Sequence, residues 1–341
     1  MTGNEAIAES AIQAGCFFYA GYPITPQNEL TAYMAAHMQD RGGVFIQAEA
    51  EVAAINMVYG ASAAGARAMT SSSSPGISLK QEGISYIAGA RLPAVIVNIM
   101  RGGPGLGNIA PAQSDYFQAT RSGGHGDYHC IVLAPFSVQE CYDLTRLAFD
   151  LADKYRVPAI VLGDGMLGQM MEPVQFLSRK PHLTLKPWAL TGCVGRKPNI
   201  VKSFYLAEGD LEKANLRLQK EYKAIQSKEQ RWEELFTKDA RIVLVAYGSM
   251  SRIAKSAVKL LRSKGKKVGL IRPVTLWPFA KKAFANPKQK YLVVEMSYGQ
   301  MLEDVQLAVN GKSKIEFLGR GGGGIPSEQE IIAKVNKIYN G

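Results

Sequence analysis

Residues 45–76 place the strongest constraint on the fold. An apolar segment runs into two acidic residues, Glu49 and Glu51, and then into a helix that is rich in Ala and Gly. In α/β folds, ligands bind where a strand ends at a helix N-terminus, and the positive end of the helix dipole favours an ionised carboxylate there. The pattern predicts an α/β layer with Glu51 as a candidate functional residue, and a second surface packed close to the helix backbone.

The composition is that of a globular enzyme or enzyme subunit. The chain has 341 residues, 47% hydrophobic and 20% charged, which is enough for two domains. The N-terminus has no basic leader followed by an apolar run, and no run of about 18 apolar residues occurs. We therefore expect a cytoplasmic protein with no membrane contact.

The cysteines do not have the spacing of a metal site. None of the four forms a Cys-x-x-Cys pair, so we expect reduced thiols and no metal or iron–sulfur centre held by this chain alone. Their positions are Cys16, Cys130, Cys141 and Cys193.

The net charge of +11 is unevenly distributed. Residues 1–176 carry 9 Lys and Arg against 15 Asp and Glu, whereas residues 177–341 carry 31 against 14. Aromatic residues are not interleaved with these lysines as in nucleic-acid-binding modules, so we expect no nucleic acid partner. The basic half is either a solvated surface or a docking face for an acidic partner.

The first segments alternate between helix and strand. Thr2 and Glu5 have the spacing of a capping box for a helix over residues 4–15, and a strand follows at 17–20. Thr25 before Pro26 then has the pattern of an N-cap for the next helix. Because that helix would begin at a strand's carboxyl end, the Thr25 hydroxyl could also face a ligand.

A continuous apolar run at 92–100 predicts a parallel strand covered on both faces. Arg101 follows it on a glycine-rich loop, where the guanidinium could bind an anionic substrate bidentately or pair with a neighbouring acid. The loop residues Gly105, Gly107 and Ala110 fit a dinucleotide fingerprint only weakly, because the strand is central and Pro111 interrupts any helix.

The first domain is predicted to end at residue 176. Strands are expected at 130–134 and 157–162, with an amphipathic helix at 137–155 between them. The triplet at 163–165, Gly-Asp-Gly, begins like a magnesium–diphosphate motif, but the Asn residues that should follow are missing. We therefore expect no metal on this chain.

Residues 177–240 are predicted to be a linker, irregular at 181–199 and a long amphipathic helix at 206–236. Residues 241–341 then repeat the strand–helix alternation of a smaller α/β domain. Its glycines at 321–324 could admit a phosphate or a neighbouring subunit, or could form a flexible turn.

Five motifs together resemble the alpha subunit of the 2-oxoacid:ferredoxin oxidoreductases, in order and over nearly the whole chain. They are Y-P-I-T-P at 22–26, E-A-E-V-A-A-I-N-M-V-Y-G-A at 49–61, L-P-A-V-I-V-N-I-M-R-G-G-P-G at 92–105, I-R-P-V-T-L-W-P-F at 271–279 and V-E-M-S-Y-G-Q-M at 294–301. The resemblance implies a doubly wound parallel sheet that binds the pyrimidine of thiamine diphosphate, plus a transketolase C-terminal-like α/β domain.

The resemblance also implies partners. A beta subunit would hold the diphosphate and Mg²⁺ of the shared cofactor, and the iron–sulfur clusters would lie on partner subunits, which include gamma and ferredoxin-like delta subunits. The complex would convert a 2-oxo acid and coenzyme A to acyl-CoA and CO₂, passing electrons to ferredoxin. The protein would supply orientation and electrostatics while the cofactor supplies the chemistry.

Site residues carry over position by position. The acid matching Glu51, nine residues before Gly60, would hydrogen-bond the aminopyrimidine ring, with Glu49 as the alternative. Thr25 and Arg101 would face the reacting centre and the substrate carboxylate. The remaining cofactor-binding residues of the motif would be Tyr22, Pro23 and Ile24.

Residues 71–84 and 107–118 are most similar to the branched-chain, 2-oxoisovalerate type, with 2-oxoglutarate as the alternative substrate. Two other hypotheses stay open. The chain could be a scaffold subunit without catalytic function, or an NAD-binding Rossmann protein.

Overall fold

A computed structural model describes residues 1–177, 181, 183, 185–284, 286 and 289–340. The helices are α1 Gly3–Gln13, α2 Asn28–His37, α3 Glu51–Ala63, α4 Ser74–Gly89, α5 Tyr116–Thr120, α6 Val138–Tyr155, α7 Gly165–Gln169, α8 Asp210–Lys228, α9 Gly248–Ser263, α10 Gln300–Val309 and α11 Glu328–Asn340. The strands are β1 Phe18–Gly21, β2 Val44–Gln47, β3 Ala68–Ser72, β4 Val95–Met100, β5 Ile131–Leu133, β6 Ala159–Asp164, β7 Trp232–Leu235, β8 Ile242–Val245, β9 Val268–Pro273, β10 Thr275–Trp277, β11 Lys290–Glu295 and β12 Ile315–Gly319.

The first sheet has the order β10-β5-β6-β4-β3-β1-β2. Strands β1 to β6 pair in parallel, and β10 is antiparallel to β5 at one edge. Strand β4 lies in the middle, and all six of its residues are buried. The apolar run at 92–100 therefore forms the predicted central strand, because helices cover both of its faces.

The second sheet has the order β12-β11-β8-β9-β7. Strand β7 lies within the predicted linker and pairs antiparallel with β9, while β10 comes from the predicted second domain and completes the first sheet. The predicted helix over 206–236 is wrong beyond α8, since pairing with β9 holds 232–235 as a strand. The boundaries at 176 and 240 stay a prediction, and residues 178–180, 182 and 184 of that segment lie outside the described residues.

The two predicted helix starts have different outcomes. The Thr2 side chain accepts from Glu5 N and the Glu5 carboxylate accepts from Thr2 N, so the capping box is confirmed. Thr25 is not an N-cap. The Thr25–Pro26 peptide is cis, helix α2 begins only at Asn28, and the Thr25 hydroxyl accepts from Asn28 Nδ2 at 3.3 Å.

Two further motifs have structural roles. Asp164 is the N-cap of α7: its Oδ1 accepts from the backbone of Met166 and Leu167, and its Oδ2 accepts from Ser249 Oγ at 2.6 Å. The loop after Arg101 opens no helix; instead Arg101 forms an isolated antiparallel bridge with Pro111. The weak dinucleotide fingerprint therefore lacks the helix that it needs.

Helices α3 and α4 pack closely, and the tightest glycine contact between them lies on α4. A Cβ added at Gly60 of α3 would meet no atom within 4 Å in the described part of the chain. At Gly83 of α4, in contrast, an added Cβ would lie 2.5 Å from Ile55 Cγ2. The expected close surface on α3 is therefore absent at Gly60 among the residues described, and the tight glycine contact belongs to α4.

We expect Gly83→Ala to lower the free energy of unfolding by about 1–3 kcal/mol, because the added methyl group would overlap with the buried, β-branched Ile55 side chain. Urea unfolding of the purified chain measures this change. Gly60→Ala is the matched control and should be neutral or stabilising by up to about 1 kcal/mol, since alanine has the higher helix propensity. Equal losses in the two variants would contradict the packing described.

Candidate active site

Four parallel strands bring the predicted residues to one edge of the first sheet. Thr25 follows β1, Glu51 follows β2, Ser74 follows β3 and Arg101 follows β4. Strands β2, β1, β3 and β4 are consecutive neighbours in the sheet, so their carboxyl ends lie side by side. The N-terminus of α4 occupies the middle of this edge.

Arg101 is held by backbone carbonyl groups. It is 7% exposed; its Nη1 donates to Thr25 O at 3.0 Å and its Nη2 donates to Leu106 O at 3.2 Å. The Nε atom is buried without a partner, and no described acid lies within ion-pair distance of the guanidinium. The alternative of a neighbouring acid is therefore not what the structure shows, and the positive charge is available to an anionic ligand.

Ser74 fixes the position of Arg101. Its N–H donates to Asn98 Oδ1 at 3.1 Å and its hydroxyl donates to Asp115 Oδ2 at 2.6 Å, while Arg101 N donates to Ser74 Oγ at 3.0 Å. Asn98 Nδ2 also donates to Asp115 Oδ2 at 2.9 Å. Burial raises the pKa of Asp115, against the opposing effect of these two hydrogen bonds. We call these four residues the Ser74 cluster.

Glu51 is the first residue of α3 and is 6% exposed, whereas Glu49 is exposed. A Cβ added at Gly76 would lie 2.6 Å from Glu51 Oε1, so the carboxylate lies against the first turn of α4. The hydroxyls of Ser72 and Ser73, just before α4 begins, are buried and have no hydrogen-bond partner among the residues described. Of the two candidate acids, only Glu51 is therefore buried, which favours Glu51 as the cofactor-binding acid.

The other predicted cofactor-binding residues lie on the outer side of the site. Tyr22 and Pro23 are exposed, Ile24 is half-buried, and Gln27 Nε2 donates to Tyr22 O at 3.4 Å. They follow β1 at the same edge as Glu51 and Arg101, but no hydrogen bond joins them to either side chain in the part of the chain described.

A family model described as "Pyruvate flavodoxin/ferredoxin oxidoreductase, thiamine diP-bdg" matches residues 9–192, and one described as "Pyruvate:ferredoxin oxidoreductase core domain II" matches residues 240–331. The chain belongs to the 2-oxoacid:ferredoxin oxidoreductase family. The first match covers the sheet edge described above, so the family resemblance and its thiamine-diphosphate-binding domain are confirmed.

Curated relatives cover nearly the whole chain. Ketoisovalerate oxidoreductase subunit VorB of Methanothermobacter marburgensis is 51% identical over 98% of this chain and 96% of its own length. The 2-oxoglutarate synthase subunit KorA of Methanothermobacter thermautotrophicus is 39% identical over 98% of this chain and 97% of its own length.

Solved structures confirm the predicted fold class. The 2-oxoglutarate:ferredoxin oxidoreductase from Magnetococcus marinus, solved with 2-oxoglutarate, coenzyme A and succinyl-CoA bound, gives a TM-score of 0.87 at 27% identity. That match covers 99% of this chain, which spans 64% of the solved chain. A split-gene transketolase gives a TM-score of 0.62 at 13% identity, covering 99% of this chain and 97% of its own, and shows the fold alone.

Lys80 lies beside Glu51 and was not predicted from the sequence. It is fully buried on α4; its Nζ donates to Thr70 Oγ1 at 3.1 Å and lies 3.5 Å from Glu51 O. Burial lowers the pKa of Lys80 to about 8, opposed by the charge of Glu51. The helical spacing of Gly76, Lys80 and Gly83 was a usable signal, because these residues share the face that meets α3.

The residues present fit thiamine diphosphate's pyrimidine. Buried polar groups are normally hydrogen-bonded. Within the described part of the chain, however, the hydroxyls of Ser72 and Ser73 and the Nε of Arg101 have no partner, and the Glu51 carboxylate accepts no hydrogen bond. A polar ring beside Glu51 and an anion beside Arg101 would satisfy them. The described residues contain no cluster of three or more His, Cys, Asp or Glu that could hold a metal.

We expect Lys80→Met to change stability in a pH-dependent way. The folded pKa of about 8 lies below the ordinary value of 10.5, so between these values the unfolded state binds more protons and wild-type stability rises with pH. The variant lacks this rise. Relative to wild type, its free energy of unfolding should fall by roughly 2–3 kcal/mol from pH 7 to pH 10.5.

Urea unfolding at several pH values gives the measurement, and the exposed Lys228→Met is the control. The difference in free energy of unfolding between each variant and wild type is compared across pH. If this difference changed with pH in the same way for both variants, a buried Lys80 with a lowered pKa would be contradicted.

Proposed function

We propose that this chain is the pyrimidine-binding subunit of a 2-oxoacid:ferredoxin oxidoreductase that acts on a branched-chain substrate, 2-oxoisovalerate. The products would be the acyl-CoA, CO₂ and reduced ferredoxin. The observation that carries the proposal is the buried Glu51 carboxylate against α4, on the same sheet edge as a buried Arg101 that pairs with no acid among the described residues.

Thiamine diphosphate, when bound, supplies the carbon nucleophile and the electron sink for decarboxylation of a 2-oxo acid. Glu51 would accept a hydrogen bond from a protonated ring nitrogen of the pyrimidine. This bond would favour the form of the ring that carries the proton on that nitrogen. Glu51 is the first residue of α3, is 6% exposed, and its carboxylate lies against the first turn of α4. The exposed Glu49 lacks this environment.

Arg101 would bind the substrate carboxylate. The backbone carbonyls of Thr25 and Leu106 take two of its N–H groups and set the direction of the guanidinium. The remaining N–H groups, including the buried Nε, have no acceptor among the residues that the structure describes, and an anion would supply one; charge-assisted pairs of this kind are the strong ones. Thr25 would contact the reacting centre through its half-buried hydroxyl.

The site is open on one side and needs another subunit. Tyr22, Pro23 and Glu49 are exposed, as are Val52 at 43% and Leu106 at 80%. We propose that a beta subunit covers this side and holds the diphosphate and Mg²⁺. The iron–sulfur clusters would lie on partners, which we infer to include a gamma and a ferredoxin-like delta subunit.

The loop after Arg101 supports a branched-chain substrate over 2-oxoglutarate. A second carboxylate would require a second cation, but residues 102–118 contain no Lys, Arg or His. The loop instead exposes two apolar side chains, Leu106 and Ile109. The higher identity to the VorB subunit than to the KorA subunits favours the same substrate.

The direct test is turnover of the reconstituted complex with coenzyme A and a viologen dye. We expect 2-oxoisovalerate to give the highest kcat/KM and 2-oxoglutarate a much lower one. A preference for 2-oxoglutarate would contradict the proposed substrate but would agree with the proposed type of reaction. Tight NAD binding without turnover would instead support the Rossmann alternative.

Glu51→Gln should lower kcat by at least about a hundredfold, because a positioned acid contributes typically 10²–10⁴-fold to proton transfer. Glu49→Gln, two residues away and exposed, is the matched control and should retain most activity. Steady-state rates of the two reconstituted complexes provide the comparison. Unchanged turnover of Glu51→Gln would support the scaffold alternative.

Arg101→Lys keeps the charge but loses the planar fork. We expect KM for the 2-oxo acid to rise at least about tenfold, with a smaller change in kcat, because the lost interaction is present in the bound substrate as well as in the transition state. The affinity for coenzyme A, measured in the same assay, should not change. An unchanged KM would show that Arg101 does not bind the substrate carboxylate.

A further inference from the structure

A cavity of about 320 Å³ lies at the opposite edge of the first sheet, between the C-terminal end of α4, the turn before β6 and the start of α8. Four cationic side chains line it, and we call it the cationic crevice. They are Arg91, Arg156, Lys202 and Arg217.

Most of this charge is not neutralised. Arg91 pairs with Glu221 at 3.3 Å, but the other three cations form no ion pair with an acid in the described ranges. Arg156 Nε donates to the backbone carbonyl of Arg91 at 3.1 Å, which joins the Arg156 side chain to the end of α4. Burial, and next the charge of Arg91, lower the pKa of Arg156.

Aromatic rings and backbone groups hold these cations in place. Arg156 lies over the Trp188 ring at 4.4 Å, and the Lys202 ammonium lies over the Tyr205 ring at 4.6 Å. Arg217 Nε donates to Lys213 O at 3.3 Å. Cations that line one cavity repel each other. An anion bound among them offsets this repulsion, so the arrangement favours anion binding.

A second cavity of about 180 Å³ adjoins the first and has a different character. The rings of Tyr86 and His125 line it and meet edge to face at 6.1 Å. We call it the aromatic pocket. The two cavities share the lining residues Gly89, Ser203, Leu211, Asn215 and Leu218.

We propose that the cationic crevice and the aromatic pocket together bind a nucleotide, with its phosphates among the four cations and its base against the aromatic rings. Arginine recognises phosphate oxygens bidentately, and bases stack on aromatic side chains.

This binding site is distinct from the candidate active site. Arg91 precedes β4 and Arg156 precedes β6, whereas Arg101 follows β4. The six residues of β4 separate the two edges by about 20 Å at ~3.3 Å per residue. A nucleotide bound there would not reach Glu51 or Arg101, so it would stabilise or regulate the complex rather than react.

The test uses the reconstituted complex preloaded with thiamine diphosphate and Mg²⁺, titrated calorimetrically with pyrophosphate, ADP and adenosine. We expect pyrophosphate and ADP to bind, ADP more tightly. Adenosine should bind at least about tenfold more weakly than ADP, because it lacks the charged groups. ADP should also raise the melting temperature of the complex.

The double variant Lys202→Ala/Arg217→Ala should weaken one ADP site per chain by at least about tenfold. Both side chains are exposed, so the melting temperature without ligand should not change. Lys223→Ala/Lys228→Ala removes two exposed charges from α8 outside both cavities and should bind ADP as wild type does.

Superimposable isotherms for wild type and the Lys202/Arg217 variant would overturn the proposal. Equal losses in the two double variants would also overturn it, because general charge would then explain binding. Equal affinity for ADP and pyrophosphate would overturn the assignment of a base to the aromatic pocket.

Discussion

The Ser74 cluster is the constraint on which the candidate site depends. Ser74 begins α4 two residues after the last residue of β3, with a φ of 23°, a conformation that few non-glycine residues adopt. Hydrogen bonds to Asn98 and Asp115 hold it there, and Arg101 N donates to its hydroxyl. Because Asn98 and Arg101 belong to β4 and its end, one cluster fixes both the helix start and the cation.

Residues of the second α/β unit form hydrogen bonds to the segment that carries Asp115 of this cluster. Gln113 donates from Nε2 to Tyr247 O at 3.0 Å and accepts at Oε1 from Met296 N at 2.9 Å. Tyr116 donates to Asp304 at 2.6 Å. These bonds tie the segment that carries Asp115 to β8, β11 and α10, so the smaller sheet helps to position a carboxylate of the first domain's site.

The charges of the site are arranged in two layers. Glu51 and Arg101 face the sheet edge, while Lys80 lies beneath Glu51, fully buried and bonded to Thr70. A buried ammonium is costly unless an opposite charge is close, and Glu51 is the described acid whose charge acts on it. The same exposed edge carries the apolar Val52 and Leu106, which is the character of a surface that a partner covers.

The sequence by itself determined the strand–helix alternation, the central place of the 92–100 run and the family. The alternation and the central strand follow from local patterns, since hydrophobic periodicity depends on neighbours a few residues apart. The family was predicted from the resemblance of five motifs and confirmed by the family models. It also placed Glu51 and Arg101 at strand ends. It could not place Lys80 at the site, the start of α2 beyond Thr25 or the pairing of 232–235.

Only the tertiary structure decided those features, because each depends on contacts between residues distant along the chain. Strand β7 forms by pairing with β9, and the Thr25 carbonyl is taken by Arg101, 76 residues later. Lys80 is buried because α4 packs on α3 and β3, and a side chain's burial is a property of the packed elements rather than of its neighbours in sequence.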